Sequence, residues 1–221
     1  MMNYFAHAVW FLDNPYFVAG TGVPDWLTVV DRKVRVRSRH AAERASDPDP
    51  VTAAVAGGML QHFRDDARFH ETRAFAELNL DLTVLVRDAL AGEQGFRPSF
   101  LGHLLVEVLL DASLVAQNPY LLEEYYRAID SVDSAKVEEA VNRMAPRPTE
   151  RLAWMIDRFR EERILWDYFD EPRLMLRLNQ VMRRVGFGQL TDGFRAVLPE
   201  ARRRVEERKT ELLEGIPVDV T

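Results

Sequence analysis

Side chains that bind metals or transfer protons recur at every fourth position in two stretches, GMLQHFRDDARFHE (58–71) and SFLGHLLVEVLLDASL (99–114). Residues four apart on an α-helix share one face and lie about 6 Å apart along its axis, so each stretch predicts a polar row. Imidazole and carboxylate groups suit Zn, Mn and Fe, and both can act in general acid–base catalysis. The rows are His62, Asp66 and His70 in the first stretch and His103, Glu107 and Asp111 in the second.

The second row is the more informative because Leu and Val surround it. A helix that is apolar on most of its surface is buried, and buried carboxylates need compensation. One buried His or Asp is ordinarily a hydrogen-bonded core residue, but two rows without Lys or Arg at the same spacing favour bound cations. A row about 12 Å long exceeds the reach of one ion, whereas two ions about 3.5–4 Å apart could share it, with Asp66 between them.

Composition limits what kind of metal site the chain can form. The 221 residues contain no cysteine, which excludes disulfides and thiolate zinc sites and leaves His, Asp, Glu or backbone oxygen as ligands. No apolar run has the length of a membrane span, and the first residues lack the features of a secretory signal, so we expect a cytoplasmic protein. The net charge of −6 argues against a general nucleic-acid binder.

One segment departs from this acidic balance. DRKVRVRSRHAAER (31–44) holds six Lys or Arg residues against two acidic ones. It is either a solvated helix face or turn, or a binding surface for phosphate or an acidic partner.

Apolar residues recur at helical spacing almost throughout, which predicts an all-α multi-helix bundle. SDPDP (46–50), AGEQGFRPS (91–99) and APRPTE (145–150) have the composition of connections between helices. We expect one domain, 1–221, with the metal-site core in 1–116 and a helical C-terminal part in 117–221. The predicted helices cover 51–71, 73–90, 99–116, 119–129, 132–144, 149–169, 171–185 and 189–213.

Several motifs, in order and spacing, resemble those of the acyl carrier protein phosphodiesterases. These enzymes are all-α, HD-like, divalent-metal-dependent hydrolases, and the resemblance implies that fold and that chemistry. A later stretch, WDYFDEPRLMLRLNQVMRRVG (166–186), also looks like the C-terminal half of that family. The motifs are NYFAHA (3–8), Gly20 with PDW (24–26), GMLQHFRDD (58–66) and VEVLLDASL (106–114).

The resemblance also implies roles for individual residues. Three of the family's positions are changed: His70 stands at an acidic position, Glu107 at the first Asp of a pair, and Ala112 where a His is expected. Asp111 occupies the second Asp of that pair. The positions that agree are His7, Gly20, Asp25, His62, Arg64 and Asp66.

The changed positions resemble a second family. His-x3-Asp-x3-His followed by His-x3-Glu is similar to the metal core of zinc-dependent phospholipases C and P1-type nucleases. That resemblance implies that His40 is also a ligand, since the pattern has a ligand at a position between Asp25 and His62 in the sequence. It implies that Asp66 bridges two ions, with His62, Asp25 and His40 on one and His70, His103 and Glu107 on the other. His7 could hold part of a further site.

These observations predict a divalent-metal-dependent phosphoesterase, specifically a phosphodiester hydrolase with two Zn, Mn or Fe ions. Helices 51–71 and 99–116 should pack with their polar rows facing each other. Asp66 would be catalytic, and the planar guanidinium of Arg64 would bind substrate phosphate. The substrate could be a phosphopantetheinylated acyl carrier protein, a nucleotide or a phospholipid head group. The alternatives are a catalytically silent helical protein that binds metal or another protein, and a small-molecule- or lipid-binding bundle with an apolar cavity.

Overall fold

The computed structural model describes residues 4–216, and regular structure in this range is helical, with no strand. The predicted all-α, multi-helix fold is therefore confirmed. A 3₁₀ helix covers Ile164–Phe169. The α-helices are α1 (Tyr4–Ala8), α2 (Pro15–Val30), α3 (Ser38–Ala42), α4 (Pro50–Glu71), α5 (Arg73–Ala89), α6 (Pro98–Gln117), α7 (Pro119–Ser131), α8 (Ser134–Met144), α9 (Leu152–Glu162), α10 (Glu171–Val185), α11 (Asp192–Arg195) and α12 (Leu198–Leu212).

Two of the predicted helices are each divided. The predicted helix 149–169 ends as α9 at Glu162, because Arg163 adopts a left-handed backbone with φ 47°. The Arg163 guanidinium donates to Asp130 at 2.5 Å and lies over the Tyr126 ring, so tertiary contacts accompany the break. The predicted helix 189–213 is divided into α11 and α12, and Pro199 stands in the first turn of α12, where proline is favoured.

Gly20, Gly22 and Pro24 precede Asp25, and this composition is typical of a turn, but the segment is helical. Pro24 and Asp25 lie inside α2, and Asp25 is buried. The glycines serve helix packing instead, because a Cβ atom at Gly20 would collide with the carbonyl oxygen of Val55 in α4. A Cβ atom at Gly58 of α4 would likewise collide with the carbonyl oxygen of Phe17. Close backbone approach, and not turn formation, therefore explains glycine here.

The basic segment 31–44 is helical only over α3, Ser38–Ala42. Before α3, Val34 and Val36 are buried while Arg35 and Arg37 are exposed. This two-residue alternation is that of an extended segment with one face against the core. Before Ser38 the segment is therefore a turn at Arg32 and Lys33 followed by extended residues, and its basic side chains are exposed, as expected of the solvated turn that was one of the predicted alternatives.

The helices form two compact units. The first unit comprises residues 4–67 and 118–163, and the second comprises 68–117 and 164–216. In the first unit, the rings of Tyr4, Trp26 and Phe159 pack within 6.1 Å of one another between ring centres. In the second unit, α5 packs closely along α6. Gly102 permits this approach, because a Cβ atom at that position would collide with Thr83.

In contrast to the expectation that no apolar run has the length of a membrane span, helix α6 is long and apolar enough to cross a membrane by length and composition alone, with a mean hydropathy of 1.6 over its most apolar stretch. However, 67% of that stretch is buried inside the protein, as in the core helix of a globular fold. Its polar residues therefore lie in a largely apolar environment, and this makes the positions of His103, Glu107 and Asp111 chemically informative.

Candidate metal centre

Three of the predicted ligands meet in the second unit. His70 from the last turn of α4 reaches His103 and Glu107 on α6, and one ligand atom from each residue lies within 4.8 Å of the others. The Nε2 atoms of the two histidines are 3.3 Å apart. Oε1 of Glu107 lies 2.8 Å from Nε2 of His103 and 3.9 Å from Nε2 of His70.

These separations fit a small coordination sphere. Zinc binds imidazole nitrogen at about 2.0–2.1 Å, so two nitrogens of a tetrahedral site lie about 3.4 Å apart. The separation of the two Nε2 atoms, 3.3 Å, is close to this value, and the distances of 2.8 and 3.9 Å to Glu107 lie on either side of it. A two-histidine, one-carboxylate group of this size can therefore bind a divalent transition-metal ion.

Local sequence explains why these groups converge. His103 and Glu107 are four residues apart on α6 and therefore share one face. Phe69 is fully buried beside His70, and its ring packs 4.9 Å from that of Phe75 in α5, which fixes the last turn of α4. The three ligands thus converge because His103 and Glu107 are four residues apart on α6, and because the contact between Phe69 and Phe75 positions His70.

The group is open to solvent on the histidine side. The side chains of His70 and His103 are 28% and 36% exposed, whereas that of Glu107 is 11% exposed. Structural zinc sites have four protein ligands, whereas catalytic sites have three and leave a position for water or substrate. Three ligands at an accessible position therefore match the catalytic type.

A second pair of predicted ligands meets in the first unit. The rings of His7 and His62 are 4.3 Å apart between centres, and both side chains are buried. Nδ1 of His62 lies 2.9 Å from the Thr21 carbonyl oxygen, which can only accept a hydrogen bond, so Nδ1 carries a proton. Burial, and then the neighbouring His7, lower the pKa of His62 well below its usual value. The ring is thus neutral, and its Nε2 keeps a lone pair, as metal-ligating histidines require.

Arg64 reaches this pair through a chain of hydrogen bonds. The exposed Arg64 donates to Oε1 of Gln61 at 2.9 Å, and Nε2 of Gln61 donates to Oδ1 of Asp65 at 2.8 Å. The other oxygen of Asp65 lies 3.4 Å from Nδ1 of His7. Sequence reasoning missed Gln61 and Asp65, although their four-residue spacing on α4 resembles that of the ligand row beside them.

The other predicted ligands have different surroundings. His40, in α3, accepts from the backbone N–H of Arg37 at 3.4 Å and lies 3.2 Å from Nε of Arg39, so these contacts are local to the basic segment. Asp66 is half-buried on α4, and Asp111 is buried on α6. Among residues 4–216, one group of three or more potential ligands is close enough to hold an ion, and that group is His70, His103 and Glu107. Metal binding by His40, Asp25, Asp66 and Asp111 stays a prediction.

The fold and the site define an all-helical protein with a solvent-accessible group of two histidines and one carboxylate. No protein-family model, curated protein or solved structure matches the chain. The proposals below are therefore supported by the geometry of the site together with the sequence motifs.

Proposed function

We propose that the protein is a divalent-metal-dependent phosphoesterase that hydrolyses phosphodiester bonds. The observation that carries the proposal is the convergence of His70, His103 and Glu107 within the radius of one coordination sphere. The motifs resembling acyl carrier protein phosphodiesterases and zinc-dependent phospholipases C support hydrolysis of phosphoesters as the reaction.

The chemistry follows from the ligand set. A divalent ion at this position would supply a Lewis acid for a phosphoryl oxygen and would lower the pKa of a bound water. Glu107 would supply a negatively charged oxygen ligand beside Nε2 of His103, and its charge would partly neutralise a divalent ion held between them. The exposure of both histidines leaves room for a phosphate group to approach from solvent.

The first unit extends the proposal to a second ion. His62 presents Nε2 as a neutral donor because the Thr21 carbonyl fixes its tautomer, and the Asp65 carboxylate can fix His7 in the same way. Asp25 lies one helical turn after Thr21 in α2, and Asp66 lies one turn after His62 in α4. These two carboxylates are the proposed further ligands of that ion. Arg64 is the proposed phosphate-binding residue, which its exposure permits.

The substrate we propose is a phosphodiester carried by an acidic macromolecule, with a phosphopantetheinylated carrier protein as the first candidate. The exposed Arg35 and Arg37 offer a positive surface in an otherwise acidic protein, because the buried Val34 and Val36 fix the opposite face of the segment. Positive charge near a docking surface accelerates encounter with an acidic partner.

A catalytically silent protein is the second candidate, and one observation favours it. The chain of bonds from Arg64 through Gln61 and Asp65 to His7 satisfies these buried polar groups without an ion. Such a hydrogen-bond network can rigidify the core and favour one packing arrangement in a protein that has no catalytic activity.

Metal content and hydrolysis distinguish the two candidates. The protein is purified without chelator and its bound metals are measured, and hydrolysis of bis-p-nitrophenyl phosphate is assayed after reconstitution with Zn, Mn or Fe. We expect bound metal and activity in the wild type, loss of activity and a lower metal content in Glu107→Gln, and wild-type behaviour in the control Asp81→Asn, which changes an exposed carboxylate of α5. Retention of metal without hydrolysis of this ester or of phosphopantetheinylated carrier protein would refute the enzyme assignment.

A further inference from the structure

One aromatic side chain contacts both histidines of the candidate metal centre. The Phe75 ring lies 4.5 Å from that of His70 and 5.0 Å from that of His103 between centres, and it meets both edge-on, at 72° and 84°. The two imidazoles are themselves 5.0 Å apart and nearly parallel, at 25°. Phe75 is buried.

The backbone of Phe75 is held at the start of α5. Thr72 caps this helix, and its hydroxyl oxygen accepts a hydrogen bond from the Phe75 N–H at 3.1 Å. The Phe75 ring also packs 4.9 Å from the fully buried Phe69. The Phe75 ring is therefore held in place by the hydrogen bond to its backbone and by its packing against Phe69.

The two histidines come from different helices, α4 and α6. An imidazole rotates readily about its last side-chain bond, so without lateral contacts the Nε2 atoms would sample many separations. An aromatic ring packed against both imidazoles restricts this rotation.

We propose that Phe75 is a positioning residue that holds His70 and His103 at the separation required by a small, four-coordinate divalent ion of the zinc type. This inference rests on the metal centre of the proposed function. It adds that the 3.3 Å between the two Nε2 atoms is set by Phe75 in advance of metal binding. Preorganisation of ligands by neighbours that do not touch the metal typically changes affinity by about 10–100-fold.

The test is a comparison of metal binding by four folded proteins: wild type, Phe75→Leu, Phe75→Tyr and Phe194→Leu. Phe194 is a matched control because it is fully buried in α11, and its neighbour Gly193 packs beside Ala89 at the far end of α5. Fourteen residues of helix separate Ala89 from Phe75, about 21 Å. Zn²⁺ affinity is measured by competition with a chromophoric chelator, and the visible spectrum of bound Co²⁺ reports coordination geometry.

We expect Phe75→Leu to weaken Zn²⁺ binding by at least about 10-fold and to reduce the intense visible absorption of four-coordinate Co²⁺. Phe75→Tyr, which keeps the ring, and Phe194→Leu should bind like the wild type. Should Phe75→Leu fail to fold, Phe75→Met takes its place in the same comparison.

Equal Zn²⁺ affinity and equal Co²⁺ spectra in wild type and Phe75→Leu would overturn the role of Phe75 while leaving the metal centre intact. Equal weakening by Phe194→Leu would also overturn it, because loss of core packing would then explain the effect. A wild type that binds neither ion would instead refute the metal centre of the proposed function, and the role of Phe75 with it.

Discussion

Nε2 of His103 lies 2.8 Å from Oε1 of Glu107, one helical turn further along α6. The Glu107 side chain is only 11% exposed, so its polar oxygens depend on neighbours such as His103 for hydrogen bonds. A bound ion would replace that interaction and satisfy both groups.

The first prediction concerns this pair. Glu107→Gln keeps a hydrogen-bonding group beside His103 but removes the negative charge, so the variant should fold and should lose metal. Changing a residue outside the coordination sphere lowers metal affinity by up to about 100-fold. Because Glu107 is proposed as a ligand, we expect the Zn²⁺ affinity of the variant to fall by more than this. Metal titration measures this loss, and Asp81→Asn serves as the control. Wild-type affinity in Glu107→Gln would exclude the carboxylate as a ligand.

The second prediction is that metal stabilises the folded protein. An ion that binds only the folded state at about 100 times its Kd contributes about 2.7 kcal/mol. For a chain of this size each kcal/mol corresponds to about 2–4 °C, so chelation should lower Tm by about 5–10 °C. Thermal unfolding followed by circular dichroism measures the change. His70→Ala should show a smaller chelator effect than the wild type, because only the second proposed ion remains to be removed, and a chelator effect as large as that of wild type would place the stabilising ion elsewhere.

The third prediction follows from the lowered pKa of His62. The folded state keeps this imidazole neutral, whereas the unfolded state binds a proton with a pKa of about 6.5. As the pH falls below about 6.5, the unfolded state therefore gains a proton that the folded state does not, and stability falls by up to about 1.4 kcal/mol per pH unit. Denaturant unfolding with chelator present, at pH 7.5 and at lower pH, measures this loss.

His62→Asn and His40→Asn provide the comparison for that measurement. In His62→Asn, the introduced side-chain amide can still donate to the Thr21 carbonyl but does not titrate, so the variant should lose less stability on acidification. His40→Asn changes a histidine of the basic segment and leaves His62 intact. It should keep the acid dependence of the wild type, and identical acid dependence in all three proteins would contradict the assignment to His62.

The fourth prediction concerns the packing of α2 against α4. Gly58→Ala places a methyl group against backbone atoms of Phe17 and Thr21, which cannot move aside, and should destabilise the fold by about 1–3 kcal/mol. At the adjacent Gly57 the nearest atoms belong to the Phe17 side chain, at 3.1 Å. Gly57→Ala should therefore change stability by no more than about 1 kcal/mol, because the gain in helix propensity offsets a small shift of that ring. Denaturant unfolding of both variants tests the contrast.

Physical reasoning from the sequence predicted the all-α fold and the shared face of His103 and Glu107, whereas the grouping of His70 with this pair was implied by the resemblance to zinc-dependent phospholipases C and P1-type nucleases. Four-residue spacing places His103 and Glu107 on one face of α6 wherever that helix lies, and the apolar surroundings of the row require a partner for its charge. These are local properties of one helix. They do not depend on the rest of the chain.

What the sequence did not predict depends on contacts between distant segments. Gly20 and Pro24 have the composition of a turn, yet α2 continues through them because glycine permits close packing against α4. The role of Thr21 belongs to its backbone carbonyl, which any residue type would provide, so no sequence pattern could reveal it. Phe75 looks like any core aromatic until the ring contacts with His70 and His103 are known.

The last prediction tests whether the basic segment recognises a macromolecular substrate. Replacing Arg35 and Arg37 by Ser removes two exposed positive charges while the buried Val34 and Val36 keep the segment in place. Hydrolysis of a small phosphodiester should be unchanged, whereas kcat/KM for a phosphopantetheinylated carrier protein should fall, most strongly at low ionic strength, because electrostatic steering is screened by salt. Arg158→Ser is the control, since Arg158 is an exposed arginine of α9 that pairs with Glu161 and Glu162. An equal fall for the small ester would show that the segment affects the reaction itself, and an equal fall in Arg158→Ser would indicate a general charge effect instead of docking at Arg35 and Arg37.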